Sequence, residues 1–99
     1  MAPVHMKGFV LQKLLQDGPL WDYDVVDAVE QRFGVSGPYW TGTVRLTLID
    51  LYSAGLLNEL DVTVDPTKSD GQEKVLFRYE VNAFGRERMK HSGLLEMIE

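Results

Sequence analysis

The stretch that decides the fold is residues 41–64, TGTVRLTLIDLYSAGLLNELDVTV. In its first part the apolar residues recur at helical spacing, which predicts a helix over 41–54 with Thr41 as its N-cap. Gly55 stands where the end of a helix favours a residue in the left-handed conformation. In the last part apolar and polar residues alternate, which is the period of a half-buried strand. The change of period predicts a helix that leads directly into a sheet.

Two further helices are predicted before this stretch. Apolar residues recur at helical spacing over 5–16, and the turn-forming run DGP at 17–19 ends that segment. Asp22 is predicted to cap a second helix, which Gly34 ends.

A hairpin and a last helix are predicted after it. Alternating residues within 60–81 predict two antiparallel strands, joined by a polar segment at 66–72 that contains both Pro and Gly. Asn82 is predicted to cap a helix that runs to about Ile98, with Gly93 weakening its middle.

The resulting order, H-H-H-E-E-H, is that of a winged helix-turn-helix. This is an α+β fold with a three-helix core, a β-hairpin wing and here a C-terminal helix. We expect a single domain over 1–99, with the winged-helix core at about 5–81 and the C-terminal helix at 82–98. The chain has 99 residues without an internal repeat, which suits one compact domain.

Composition excludes several classes of function. The chain has no cysteine, so a disulfide framework, a thiolate metal site and a cysteine nucleophile are ruled out. His5 and His91 have no partner at a catalytic or metal-ligand spacing, and no phosphate-binding glycine loop is present. We therefore expect no enzyme activity, no metal and no cofactor. The sequence has neither a signal peptide nor a membrane-spanning stretch, which predicts a cytoplasmic protein without a membrane partner.

Three motifs together resemble the PadR-like family of winged helix-turn-helix transcriptional regulators. The first is LLQDGPL at 14–20 followed by Tyr23, in which Asp22 stands in for the family's glycine. The second is TGTVRLTLIDL at 41–51 followed by GLL, and the third is RYEVNAFG at 78–85. They span about residues 9 to 90. The resemblance implies a regulator, expected to be a repressor, that binds duplex DNA through helix 41–54 in the major groove and hairpin 60–81 as the wing.

The predicted DNA-binding residues lie on that helix, just before it and on the hairpin. The first residues of a recognition helix lie near base edges, and its hydroxyls and amides lie near phosphates. Arg45 replaces the family's usual tyrosine and suits a bidentate contact with guanine or a contact with phosphate. The predicted set is Tyr39, Thr41, Thr43, Arg45, Thr47, Lys68, Lys74 and Arg78. In the alternative interpretation the threonines only cap the helix and Arg45 is a solvated surface residue.

The distribution of charge supports a second hypothesis. The chain carries a net charge of −5, and residues 58–80 contain three basic and six acidic residues, a net charge of −3. A wing that grips DNA is more basic than this. On the face of the third helix that should meet DNA, Leu46 and Ile49 are aliphatic. The alternative function is therefore a winged-helix module for protein–protein interaction that does not bind DNA.

The aromatic residues around the third helix also allow two interpretations. Tyr39 and Trp40, with Trp21, form either a platform for a nucleic-acid backbone or an effector, or part of the core. Trp21 precedes a helix at a position typical of a hydrophobic staple, which favours the core.

The last helix is too short to be stable alone, so it must pack on something. In the PadR-like family the C-terminal helix forms the dimer, which implies a homodimer that binds a pseudo-palindromic operator. Packing against the first helix of the same chain is the alternative. Some members of such families respond to a small apolar effector, and the sequence identifies none. The predicted dimerisation residues are Phe84, Met89, Leu94, Leu95 and Ile98.

Overall fold

The computed structural model describes residues 6–64 and 75–93 and has an α+β architecture. In this part of the chain four helices accompany a three-stranded antiparallel sheet, an arrangement compatible with the predicted winged-helix fold. The elements are α1 (Met6–Asp17), β1 (Leu20–Trp21), α2 (Asp22–Phe33), α3 (Pro38–Ser53), β2 (Leu57–Val64), β3 (Val75–Val81) and α4 (Ala83–His91). The strand order in the sheet is β1-β3-β2.

Helix α2 has the predicted end and a different cap. Gly34 adopts a left-handed φ of 68° and its N–H bonds to Glu30 O at 2.9 Å, as predicted for a C-terminal glycine. The prediction that Asp22 caps the helix is wrong, because Trp21 is the N-cap. Its backbone N–H donates to Oδ2 of Asp24 at 3.3 Å, which leaves the carboxylate of Asp22 for other contacts.

Helix α3 begins three residues before the predicted start. Gly37 is the N-cap, with a φ of 104°, and Pro38 takes the first helical position, where its fixed φ fits and its missing N–H has no intrahelical partner to lose. The prediction of Thr41 as N-cap is therefore wrong. Gly55, with a φ of 84°, follows the helix as predicted.

The sheet extends further than the alternating pattern indicated. Strand β2 begins at Leu57 rather than at Leu60, and a register shift between Glu59 and Asp61 marks a bulge. Strand β1, which the sequence pattern did not reveal, pairs with β3 through Leu20 opposite Tyr79. The wing thus has a third strand that ties it to the helical core.

The predicted cap of helix α4 is confirmed: Asn82 is the N-cap, and its Oδ1 accepts a hydrogen bond from the N–H of Gly85 at 2.8 Å. The prediction that the helix continues to Ile98 is wrong. It ends at His91, and Gly93 takes a left-handed φ of 79°. Residues 94–99 lie outside the described part of the chain.

The core joins the inner faces of the helices to the base of the sheet. Side chains with almost no exposure come from all four helices, and Tyr79 completes the cluster from β3. They include Val10, Leu14, Val25, Val29, Val44, Leu48 and Met89. Trp21 and Trp40 are partly exposed and stand outside this cluster, which contradicts the interpretation that they form part of the core, favoured above for Trp21. Among the described helices, none is long and apolar enough to cross a membrane.

Candidate nucleic-acid interface at helix α3 and the hairpin

Helix α3 has one buried face and one exposed face, and both are apolar. Val44, Thr47, Leu48 and Leu51 are buried against the rest of the chain. The exposed large side chains on the opposite side are Tyr39, Leu46, Ile49 and Tyr52, and Tyr39 is 73% exposed. The rings of Tyr39 and Trp40 meet edge to face, with 5.1 Å between their centroids. The exposed face that should meet DNA therefore offers rings and aliphatic groups.

Arg45 turns from this exposed face toward the interior. Its side chain is 24% exposed, and Nη2 lies 3.9 Å from Oδ2 of Asp22, whose side chain is 4% exposed. The same Oδ2 accepts a hydrogen bond from the backbone N–H of Phe77 at 3.4 Å. Asp22 therefore links the start of α2 to both α3 and β3. Arg45 is an ion-pair partner and not a solvated surface residue, while its contact with DNA stays a prediction.

An open cleft of about 100 Å³ lies between α3 and β3. Its walls are apolar, and the Asp22–Arg45 ion pair supplies its charged groups. The lining residues are Asp22, Arg45, Leu48, Ile49, Val75, Phe77 and Tyr79. Burial raises the pKa of Tyr79 above its ordinary value, and the negative charges of Glu59 and Asp22 raise it further. The phenol therefore stays neutral at physiological pH.

The three predicted threonines turn their hydroxyls back to the helix. Oγ1 of Thr41 donates to Gly37 O at 3.2 Å, and Oγ1 of Thr43 donates to Tyr39 O at 2.8 Å. Neither threonine caps the helix, and both are partly exposed. Thr47 is 8% exposed and donates to Thr43 O at 2.9 Å. The prediction that Thr47 contacts DNA is wrong, because a buried hydroxyl on the inner face cannot reach a duplex.

The hairpin carries one of its predicted cations within the described residues. Nη1 of Arg78 lies 3.0 Å from Oδ2 of Asp61, in an ion pair with both side chains partly exposed. Lys68 and Lys74 lie outside the residues that the structure describes. Beyond Leu57, all of strand β2 is exposed, which the alternating pattern did not predict. Alternation of apolar and polar residues shows that the apolar side chains share one face of a strand. It does not show whether another part of the chain covers that face.

The predicted dimerisation residues separate into different environments. Phe84 is 51% exposed on α4, whereas Met89 is fully buried in the core of its own chain. The prediction that Met89 lies in a dimer seam is therefore wrong, since its contacts are already made within the chain. Leu94, Leu95 and Ile98 lie outside the described residues. Helix α4 carries three basic residues and one acidic residue, namely Arg86, Arg88, Lys90 and Glu87.

Comparison with known proteins gives a similarity in structure. No family model matches the chain, and no curated protein sequence matches it. The crystal structure of a proposed transcriptional regulator from Thermoplasma acidophilum has a similar fold, with a TM-score of 0.63 and 18% sequence identity. The match covers 93% of this chain and 81% of that one. At this identity the likeness establishes the shared fold. In the described residues, no group of three or more potential metal ligands comes together.

Proposed function

We propose that the protein is a winged helix-turn-helix transcriptional regulator of the PadR-like type that binds duplex DNA. One observation carries this proposal: the exposed face of α3 lies beside the β2–β3 hairpin, in which strand β2 is exposed beyond Leu57. That pairing suits a helix in the major groove with a wing against the neighbouring backbone. The likeness in fold to a proposed regulator supports the same interpretation.

The first half of α3 is the part best suited to reach base edges. Tyr39 extends into solvent, Thr41 and Thr43 are partly exposed, and Gly42 lets a phosphate approach the backbone. To contact a duplex, the guanidinium of Arg45 must leave its ion pair with Asp22 and bind a phosphate or a guanine instead. Because α3 carries no net charge, affinity must come from a small number of contacts.

The protein is proposed to act as a homodimer in the cytoplasm, as a repressor at a pseudo-palindromic operator. Two recognition helices related by a two-fold axis address half-sites about one helical turn apart. Exposed Phe84 on α4 supports a contact between copies at that helix.

The direct test is a titration of the protein against a fluorescent pool of random duplexes between 50 and 200 mM salt. We expect the logarithm of the association constant to fall linearly with the logarithm of the salt concentration. A slope of roughly −2 to −4 corresponds to two to four neutralised phosphates. If no binding is detected at the lowest salt, or if binding is independent of salt, DNA binding is rejected.

The variant Arg45→Lys tests base readout more cleanly than an alanine substitution. Alanine would remove the ion-pair partner of a buried carboxylate and so destabilise the fold, whereas lysine keeps the charge and loses the bidentate fork. We expect about a tenfold loss of affinity for a selected operator, measured by anisotropy. Arg32→Lys on α2 is the matched control and should bind as the wild type does. Equal binding by both variants would exclude base readout by Arg45.

A further inference from the structure

Arg45 is held beside the cleft by a loose contact. Its Nη2 lies 3.9 Å from Oδ2 of Asp22, beyond the separation of about 2.7 to 3.2 Å that is usual for a hydrogen bond. Its Nε is buried and has no hydrogen-bond partner in the part of the chain that the structure describes. A guanidinium carries five N–H donors in a planar fork, so a partner that supplies two acceptors would satisfy donors that this contact does not. The position of Arg45 therefore favours an exchange of partners.

The carboxylate of Asp22 is fixed by a contact that does not involve Arg45. Asp22 directly follows β1, whose Trp21 pairs with Arg78, so Asp22 stands opposite Phe77 in the same register. Its Oδ2 accepts the N–H of Phe77 at 3.4 Å, which continues the contacts between the two strands by one residue. Because this hydrogen bond does not depend on Arg45, the buried carboxylate keeps a donor when the arginine leaves. The exchange therefore costs less than it would for a carboxylate left without a donor.

The negative charge of Asp22 acts differently on the two partners that DNA offers to Arg45. A phosphate is an anion, and Asp22 both repels it and offsets the positive charge that would attract it. The edge of a guanine in the major groove presents two neutral acceptors, N7 and O6, which match the fork of an arginine. A guanidinium that turns toward the groove stays within the screening length of about 10 Å from the carboxylate. Asp22 therefore weakens a phosphate contact more than a guanine contact.

We propose that Asp22 determines specificity in DNA binding by keeping Arg45 from phosphates and leaving guanine as its favoured partner. Asp22 is a positioning residue in this proposal, because it acts through Arg45 and does not touch the duplex. The inference rests on the proposed function and adds to it which contact Arg45 makes. Binding to unrelated sequences stays weak, since the arginine on the recognition helix contributes little to a contact with the backbone alone.

The variant Asp22→Asn tests this proposal, because an amide oxygen can still accept the N–H of Phe77 while the charge is lost. The variant and the wild type are titrated with a selected operator and with a random-sequence duplex of the same length, between 50 and 200 mM salt. We expect Asp22→Asn to bind the random duplex at least about fivefold more tightly, with a salt slope steeper by about one. Its affinity for the operator should change less than about twofold.

Three results in this titration overturn the proposal. The first is an unchanged ratio of the two affinities in Asp22→Asn. The second is a wild type that binds both duplexes equally, because it then has no specificity for Asp22 to supply. The third is a wild type that binds no duplex at the lowest salt, which rejects the proposed function as well. Failure of this inference alone is thus recognised by a wild type that prefers its operator and a variant with the same preference.

Two controls separate the role of Asp22 from a general change in charge. Asp27 is an exposed residue of α2, and Asp27→Asn changes the net charge by the same amount. It should alter the affinity for either duplex by less than about twofold, because exposed charges are screened by salt. In an Arg45→Gln background, Asp22→Asn should change the affinity for the random duplex no more than Asp27→Asn does. A gain of about fivefold in that background would show that Asp22 does not act through Arg45, and overturns the proposal.

A measurement on the wild type tests the same proposal without relying on the folding of Asp22→Asn, which circular dichroism checks. The Nε–Hε resonance of Arg45 in the ¹⁵N-labelled protein is assigned by its absence from Arg45→Lys. At equal saturation with the two duplexes, this resonance should shift with the operator and stay in place with the random duplex. A shift of the same size with both duplexes, or with neither, overturns the proposal.

Discussion

Leu46 and Leu48 stand two residues apart on α3, and their side chains are 62% and 1% exposed. Leu48 packs in the core, whereas Leu46 lies on the outer side of the helix with Ile49. Both faces carry large apolar side chains, but only the inner face is covered within the chain. The inner face attaches the helix to the chain, and the outer face is available to another molecule. A helix that is apolar on both sides is expected where both sides make contacts.

The largest difference in the free energy of unfolding is expected between the alanine variants of the two leucines. Leu48→Ala removes a fully buried side chain and leaves a cavity, so we expect a loss of about 3 kcal/mol in the free energy of unfolding. Leu46→Ala should change it by less than about 0.5 kcal/mol, as for an exposed residue. Urea unfolding followed by circular dichroism measures both. A loss above about 1 kcal/mol for Leu46→Ala would show that the outer face is covered within the chain.

A second pair of variants compares the ion pairs on the two faces. Asp22→Ala removes a carboxylate that is 4% exposed and contacts both Arg45 and Phe77 N–H, so we expect a loss of roughly 2 to 3 kcal/mol. Asp50→Ala breaks an ion pair with Lys7 at 4.0 Å whose side chains are more than 60% exposed, and should cost less than about 0.5 kcal/mol. If chemical denaturation gives similar losses of unfolding free energy for Asp22→Ala and Asp50→Ala, the distinction between the inner and outer faces of α3 is contradicted.

Local patterns in the sequence predict most of the elements. The helical period locates α1 and α2, and short-range chemistry places Gly34, Gly55 and Asn82 at helix ends. The predicted start of α3 at Thr41 is too late, because the Gly-Pro pair at 37–38 is typical of a turn. It is also a helix start, with proline at the first position.

Features that depend on distant contacts are missing from that prediction. Strand β1 has two residues and exists only because β3 pairs with it, so it has no periodicity of its own. The Asp22–Arg45 ion pair joins residues in different helices and follows from how α2 and α3 pack. The burial of Thr47 and Met89 was also not predicted, because an amino-acid type does not specify which face of its helix is buried.

The smallest effect concerns pH. The pKa of Tyr79 is raised above its ordinary value of 10.0, first by burial and then by neighbouring negative charge. A raised pKa means that the folded state holds the phenolic proton more tightly, so stability is lost as pH rises above about 10. Tyr79→Phe cannot ionise, and its Tm should fall less steeply between pH 9 and 11. Equal slopes would show that Tyr79 is more accessible to water than its position beside the cleft implies.

The measurement that tests the central claim most directly is amide chemical-shift mapping of the ¹⁵N-labelled protein during titration with duplex DNA at low salt. The account predicts shifts in α3 at residues 39–46 and in the hairpin at 75–78, which disappear as salt is raised. Helix α4 carries more net positive charge than α3 and is the competing site. If DNA instead shifts the amides of α4 and leaves α3 unchanged, or shifts none at low salt, the assignment of α3 as the DNA-binding helix is contradicted.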